Sequence, residues 1–114
     1  MSNLVDTQAA FLLNVCSLVA HATAIGFDVT GGELWRTQEQ QAVYRKTGKS
    51  KTDNSMHLQR LAIDLNFFMH GVWIQDKKQL QEFGDFWESM NPKNRWGGNW
   101  VTFLDTPHFE RQFP

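Results

Sequence analysis

The first part of the chain repeats apolar residues at the spacing of an amphipathic helix. Its apolar face consists of Phe11, Val15, Leu18 and Ala22. Residues three or four apart share one face of a helix, because a turn takes 3.6 residues. Gly26 follows the last of them and is a typical helix stop. The pattern therefore predicts a helix over residues 7–25.

The rest of the chain alternates between extended and helical patterns. We predict a strand at Asp28–Arg36 interrupted by Gly31 and Gly32, a helix at Gln38–Thr47, a polar loop at Gly48–Asn54, a buried strand at Leu61–Phe68, a turn at His70-Gly71, a short partner strand at Val72–Ile74, a helix at Asp76–Met90, an irregular loop at Asn91–Asn99, and extended pieces at Trp100–Phe103 and Pro107–Phe109. Thr37 and Gln40 have the spacing of a capping box, and Gly48 closes the same helix. This order indicates an α+β fold, with a small antiparallel sheet and flanking helices.

Composition narrows the class of protein. A chain of 114 residues fits one domain over residues 1–114. The hydrophobic fraction of 41% excludes a disordered chain. With 11 basic and 12 acidic residues there is no global positive charge to attract nucleic acid or anionic lipid. A basic cluster around Arg45 and Lys51 is interpreted as a solvated loop.

The apolar run over residues 11–20 contains the single cysteine, Cys16, so an internal disulfide is excluded. We expect Cys16 to be a small buried apolar residue. The run is too short to span a bilayer and is broken by Asn14 and Ser17, so no membrane insertion is expected. The segment Met1–Asp6 lacks the Lys and Arg of a signal peptide. We therefore expect synthesis in the cytoplasm, with release by another factor if the target lies outside.

One residue of the predicted strand Leu61–Phe68 is unusual. Asp64 lies in the middle of this strand, where a carboxylate is costly unless it is paired or binds a metal. His57 lies seven residues earlier, and both side chains reach a common point only if the chain bends between them. His108 follows Pro107 near the end of the chain. Two imidazoles and one carboxylate form a catalytic zinc set that leaves one position for water.

Asp105 lies three residues before His108 and is a candidate base for such a metal-bound water. Spacing alone does not distinguish a metal site with a base from ordinary structural roles. Asp also favours turns, and a single His on a strand is usually structural. His21 and His70 lack converging partners and are interpreted as ordinary histidines. Glu110 either orients His108 or is a surface strand residue. The loop Trp96–Trp100 is interpreted as core filler or as the rim of a cleft.

Three motifs occur in order along the chain: Ser55-x-His57, Ala62-x-Asp64 and Asp105-x-x-His108. Together with the segments Leu34–Gln41 and Gly48–Ser50, they resemble the zinc peptidases that act on cell-wall peptides. These include D-alanyl-D-alanine carboxypeptidases and phage L-alanyl-D-glutamate endolysins, and they imply a Hedgehog/DD-peptidase-like domain. In having Asp at the position of the general base, the chain is similar to the phage endopeptidases. Many members have Gly three residues after the first ligand, where this chain has Arg60.

The resemblance implies a role for each matching residue. It makes His57, Asp64 and His108 the zinc ligands and Asp105 the general base of a metal-activated water. Arg36 would bind the substrate carbonyl or carboxylate and stabilise the oxyanion, and Ser55 and Gln41 would line the substrate site. From the residues alone, Arg36 is equally a salt-bridge partner of Glu33 or Glu39, Ser55 a loop hydroxyl and Gln41 a plain helix residue.

The function implied is a zinc-dependent peptidoglycan peptidase of the phage endolysin type. It would hydrolyse the L-alanyl-D-glutamate bond of stem peptides as a monomer, without nucleic acid, and would act on the wall after release. Two alternatives stay open. One is a D,D-carboxypeptidase that releases terminal D-Ala, and the other is a non-catalytic wall-binding module that keeps zinc for stability.

Overall fold

The protein is described by a computed structural model that covers residues 3–50, 52 and 55–114. Its helices are α1 Leu4–Ala24, α2 Gln38–Thr47 and α3 Lys77–Met90. Its strands are β1 Asp28–Gly31, β2 Ala62–Met69, β3 Val72–Ile74, β4 Asn94–Trp96 and β5 His108–Arg111. Short 3-10 turns occupy Met56–Gln59 and Gly97–Asn99. The predicted α+β class with an antiparallel sheet is confirmed.

Strand β2 is the centre of the sheet. The strands are ordered β1-β2-β5-β4, and β3 also pairs with the end of β2, all antiparallel. The register places Phe67 opposite Val29 of β1 and Asp64 opposite His108 of β5. This pairing brings two residues that are far apart in sequence to the same point of the sheet.

The hydrophobic core lies on one face of the sheet, under α1 and α3. The buried residues of this core are Phe11, Val15, Leu18, Ala22, Leu61, Leu65, Phe67, Leu80, Phe83, Trp87, Trp96 and Phe109. Phe67 of β2 stacks on Phe83 of α3 with ring centroids 4.8 Å apart. Each such large side chain contributes about 1.5–3 kcal/mol by leaving water. Since side chains alternate along a strand, Asp64 projects from the opposite face of β2.

Side chains at the helix starts explain where the helices begin. Asn3, Thr37 and Asp76 accept hydrogen bonds from the backbone N–H groups of Asp6, Gln40 and Gln79. Each of these bonds satisfies a donor that the helix itself leaves unpaired. Helix α2 ends at Gly48, whose φ of 85° is the left-handed conformation that glycine adopts without strain. Both predicted boundaries of α2 are therefore confirmed.

Three predicted segments differ in the structure. Strand β1 ends at Gly31 instead of Arg36, because beyond it only single bonds, such as Gly32 N–H to the Asp64 carbonyl at 2.7 Å, continue the pairing. The predicted irregular loop Asn91–Asn99 contains β4 and a 3-10 turn. Residues 101–103, predicted to be extended, form bends. Of the predicted polar loop, residues 51, 53 and 54 lie outside the described residues.

Helix α1 contradicts the expectation for Cys16. Cys16 is exposed, not buried, because it follows Val15 by one residue and so lies about 100° around the helix from the core face. Helix α1 has 21 residues and is long and apolar enough to cross a membrane, judged by length and composition alone. The shorter apolar run over residues 11–20, on which the expectation of no membrane insertion was based, is too short to do so. The face of α1 through Phe11 and Ala22 packs in the core, and core helices share this length and composition.

Candidate metal centre

Three side chains converge on one point at the face of the sheet opposite the core. His57 Nε2 lies 3.5 Å from Asp64 Oδ1, and His108 Nδ1 lies 3.6 Å from the same oxygen. All three ligand atoms lie within 4.8 Å of one another. The convergence predicted for these residues is therefore present in the fold.

Local backbone structure explains how His57 reaches Asp64. His57 lies in the 3-10 turn Met56–Gln59, which Ser55 caps by accepting the His57 N–H at 3.2 Å. The turn ends at Arg60, which has a φ of 55° and a ψ of 37°. This left-handed residue supplies the bend between His57 and β2. Arg60 thus adopts the conformation that glycine adopts most easily, at the position where the sequence departs from the family pattern.

The donor set fits a divalent metal ion. A tetrahedral zinc with ligands at 2.0–2.1 Å places its ligand atoms about 3.4 Å apart. The two measured separations from Asp64 Oδ1, 3.5 and 3.6 Å, are close to that edge length. They are also longer than ordinary hydrogen bonds, so the three groups surround a common centre. Two imidazoles and one carboxylate are ligands that zinc accepts readily.

The second ring nitrogen of each histidine is held by another group. His57 Nδ1 lies 3.1 Å from the Leu34 carbonyl oxygen, and His108 Nε2 lies 2.7 Å from Glu110 Oε1. With these nitrogens facing outward, His57 Nε2 and His108 Nδ1 are the ring nitrogens that face the centre and that a metal would bind. Such outer partners orient metal-binding histidines and raise their basicity. The predicted orienting role of Glu110 matches this contact.

The charges of the cluster are strongly coupled. Burial alone would raise the pKa of Asp64, but its contacts with His108 and His57 favour the ionised carboxylate and hold the pKa well below its usual range. Burial alone would lower the pKa of His108, but Asp64 and Glu110 raise it to about 9. The cluster therefore keeps Asp64 ionised, and a metal ion binding there would displace a proton from His108.

Asp105 lies beside the cluster without joining it. Its Oδ2 is 3.9 Å from His108 Nδ1. Its carbonyl also accepts the His108 N–H at 3.1 Å, so the predicted turn role and the site position are both present. Burial raises the pKa of Asp105, and the negative charge of Asp64 adds to that effect against the opposing charge of His108. A carboxyl with a raised pKa at this place is suited to proton transfer.

Arg36 forms the salt bridge that the sequence allowed and lines the cavity as well. Its guanidinium pairs with Glu33 and donates from Nη1 to Gln41 Oε1 at 2.7 Å. The same nitrogen lies 3.4 Å from Ser55 Oγ. Tyr44 packs beneath it, with its ring centroid 4.6 Å from Arg36 Cζ. These four contacts hold the planar guanidinium group of Arg36 at the edge of the site.

Gln41 was predicted to line the substrate site, and this prediction is wrong. Its side chain is buried behind Arg36, and its amide nitrogen donates to Ser50 Oγ at 2.9 Å and to the Thr52 carbonyl. Both ends of the amide are therefore occupied by the protein, and Gln41 positions Arg36 and the following loop instead of lining the cavity. Ser55 does line the cavity, as predicted.

An open cavity of about 300 Å³ covers the cluster. Its walls are formed by Arg36, Lys49, Ser50, Thr52, Ser55, Met56, His57, Trp100, Phe103, Asp105, His108 and Glu110. The segment after α2 forms one wall, and the chain around β5 forms the other.

The segment Trp96–Trp100 combines both roles proposed for it. Trp96 is fully buried in the core, whereas Trp100 lines the cavity with its ring 4.9 Å from that of His108. Glu88 of α3 accepts hydrogen bonds from Trp96 N–H at 2.9 Å and from Asn99 Nδ2 at 3.2 Å. Gly97 in turn accepts the Asp105 N–H at 3.0 Å. These hydrogen bonds connect Asp105 through the segment Trp96–Trp100 to helix α3, so the position of Asp105 depends on that helix.

The other two histidines lie away from the cluster. His21 stacks on Phe86 with centroids 4.2 Å apart, and His70 is exposed in the β2–β3 turn. Tyr44 and Glu88 also support the site through side-chain contacts, and the sequence did not predict their roles. Neither belongs to a short motif with the residues it supports.

Three buried or half-buried candidate ligands, a neighbouring carboxyl and an open cavity form an arrangement that is typical of metal-dependent hydrolases. A family model described as D-alanyl-D-alanine carboxypeptidase, of the M15 peptidases, matches residues 48–111. The match covers more than half of the chain, and the protein belongs to this peptidase family. The predicted membership is confirmed.

Two further comparisons agree with this assignment. The chain is 30% identical over 94 residues to an L-alanyl-D-glutamate peptidase of Listeria phage A118, covering 75% of this chain and 31% of that protein. It thus spans about a third of the length of that relative. The crystal structure of the Serratia marcescens L-Ala D-Glu endopeptidase ChiX superimposes with a TM-score of 0.67 at 24% identity, covering 84% of this chain and 76% of that one. This second likeness confirms the fold.

Proposed function

We propose that the protein is a zinc-dependent endopeptidase that hydrolyses the L-alanyl-D-glutamate bond of peptidoglycan stem peptides. The observation that carries the proposal is the convergence of His57, Asp64 and His108 within 4.8 Å beside Asp105. Family membership supports a peptidase. The names of the phage relative and of the Serratia enzyme favour the L-alanyl-D-glutamate bond.

In this proposal His57, Asp64 and His108 hold the zinc, which when bound acidifies a water molecule and polarises a carbonyl. Asp105 takes a proton from the attacking water and passes it to the leaving amine. The raised pKa of Asp105 brings it closer to neutrality, where a group can both accept and release a proton. Arg36, held by Glu33 and Gln41, donates hydrogen bonds to the carbonyl oxygen as negative charge develops there.

A synthetic stem pentapeptide tests the proposal directly. The zinc-loaded protein is expected to separate L-Ala from D-Glu, seen as free L-alanine by chiral analysis and, by fragment-ion mass spectrometry, as a tetrapeptide that begins with D-Glu. Asp105→Asn should lower kcat by about 10²–10⁴-fold, the usual worth of a general base, while zinc content stays unchanged. Full activity in this variant would remove Asp105 from the mechanism.

The description of the matching family model favours a second candidate, a D,D-carboxypeptidase. The same reaction mixture separates the two, because this activity releases terminal D-Ala and leaves the L-Ala–D-Glu bond intact. Cleavage of neither bond by zinc-loaded protein, together with binding to purified wall, would instead favour a wall-binding module stabilised by zinc. Repeating the assay with manganese and iron tests the choice of metal.

A further inference from the structure

We propose that Lys49 binds a free carboxylate on the residue that follows the scissile bond. The preferred substrate would then be a stem peptide whose D-Glu α-carboxyl group is ionised, not amidated. This inference rests on the proposed function and deepens it, because it assigns a residue to substrate selection and names the chemical form of the wall that is cleaved.

The charges around the cavity single out Lys49. Two permanently cationic side chains line it, Arg36 and Lys49. Arg36 is paired with Glu33, which offsets its charge. Within the described part of the chain, no carboxylate lies within 4.0 Å of Lys49 Nζ. Among the described residues, the positive charge of Lys49 at the wall of the groove is therefore not offset by an ion pair.

The backbone around Lys49 is held against α2. The left-handed Gly48 turns the chain back at the end of this helix. Ser50 N–H then donates to the Tyr44 carbonyl at 3.1 Å, and Ser50 Oγ accepts from the Gln41 amide at 2.9 Å. With its neighbour fixed in this way, Lys49 Nζ lies 5.5 Å from the centre of the Tyr44 ring. The same ring lies under Arg36, so both cations occupy one side of the groove.

The other wall carries two carboxylates. Asp105 and Glu110, from the chain around β5, both line the cavity, and the charge of His108 beside them is already paired with Glu110 at 2.7 Å. A substrate carboxylate is therefore attracted more to the side of Lys49. The interaction would be charge-assisted, and such hydrogen bonds are roughly twice as strong as neutral ones.

The chemistry of the stem peptide supplies a matching group. D-Glu continues the stem through its γ-carboxyl, so its α-carboxyl is a free anion next to the amine that cleavage releases. Amidation of this carboxyl removes the charge without altering the scissile bond. The pair of peptides that differ only at this group therefore isolates the contact.

The experiment compares kcat/KM for the acid and the amide form of one stem peptide, with zinc-loaded protein. The wild type is expected to prefer the acid by about tenfold, the effect of one charge-assisted hydrogen bond at a partly exposed site. Lys49→Met should lose about tenfold on the acid, mainly through KM, and change little on the amide. Lys49→Arg should keep the preference. Lys46→Met removes a nearby lysine that does not line the cavity, and is expected to behave as wild type.

Equal cleavage of the two peptides by the wild type would overturn the role of Lys49 while leaving the peptidase intact. An equal loss on both peptides in Lys49→Met, or the same loss in Lys46→Met, would also overturn it, since a structural effect does not distinguish acid from amide. Cleavage of neither peptide by the zinc-loaded wild type would contradict the proposed function itself, and this inference with it.

Discussion

Glu110 determines which nitrogen of His108 faces the metal centre. His108 Nε2 lies 2.7 Å from Glu110 Oε1, so Nδ1 is the nitrogen that faces Asp64 and that a metal would bind. We predict that Glu110→Ala lowers zinc affinity about 10- to 100-fold, the usual effect of losing such an outer partner. Competition with a chromophoric chelator measures this. Glu82→Ala, at an exposed position of α3, is the control, and an equal affinity in both variants would exclude the orienting role.

Arg60 gives a second prediction at the residue scale. Its φ of 55° is unfavourable for a residue with a Cβ, and its guanidinium lies 5.1 Å from the centre of the Trp35 ring. Arg60→Ala keeps the strained backbone and loses the ring contact, whereas Arg60→Gly loses the contact and removes the strain. We therefore expect the Gly variant to exceed the Ala variant by about 1 kcal/mol in the free energy of unfolding.

Urea denaturation of the two Arg60 variants, both with zinc removed, measures that difference. Equal stabilities would mean that the bend between His57 and β2 does not need a left-handed residue at this position.

The central residues of the site could be predicted from the free-energy cost of burying a carboxylate and from the order of the motifs along the chain. Asp64 was identified because an unpaired carboxylate in a buried strand is expensive, and His57, Asp105 and His108 because they follow a family order. Gln41 was assigned to the substrate because it matches a family position that lines the site, but its amide is buried behind Arg36. The Leu34 carbonyl was not predicted, since its contact with His57 depends on atoms brought together by the fold.

At the scale of elements, Gly97 allows the loop after β4 to pack against Asp105. A Cβ at Gly97 would lie 2.2 Å from the Asp105 carbonyl oxygen and 3.0 Å from His108 Cβ. We predict that Gly97→Ala costs about 1–3 kcal/mol, the usual cost of overpacking, and moves Asp105 and His108. A Cβ at Gly31 would meet nothing within 4 Å, so Gly31→Ala is the matched control.

Thermal unfolding and zinc affinity measure both consequences of the Gly97 substitution. We expect a lower melting temperature and weaker zinc binding for Gly97→Ala, with little change for Gly31→Ala. If Gly97→Ala melts and binds zinc like the wild type, the loop does not hold the site in the way described.

Helices were easier to predict than the short strands. Capping side chains such as Thr37 and Asp76 act within one turn, so they can be read from the sequence. Strand β4 has three residues and depends on pairing with β5 and on Glu88 from α3. These partners are distant in sequence, which is why Asn91–Asn99 was predicted to be an irregular loop. Cys16 was predicted to be buried because free cysteines usually are, although it lies outside the predicted apolar face of α1.

At the scale of the whole molecule, strand β2 serves both the core and the site. Leu65 and Phe67 point into the core, while Asp64 points to the metal centre from the other face. The ligands His57 and His108 come from a turn before β2 and from its neighbour β5. Packing of α1 and α3 on one face thus fixes the position of the ligands on the other.

The metal content of the protein tests this account most directly. Elemental analysis would be made on untagged protein purified without chelator, for the wild type, His108→Ala and His70→Asn. The account predicts about one zinc per chain in the wild type and in His70→Asn, whose histidine lies in an exposed turn, and loss of zinc in His108→Ala. Wild-type protein without zinc after zinc has been added back, or undiminished zinc in His108→Ala, would contradict it.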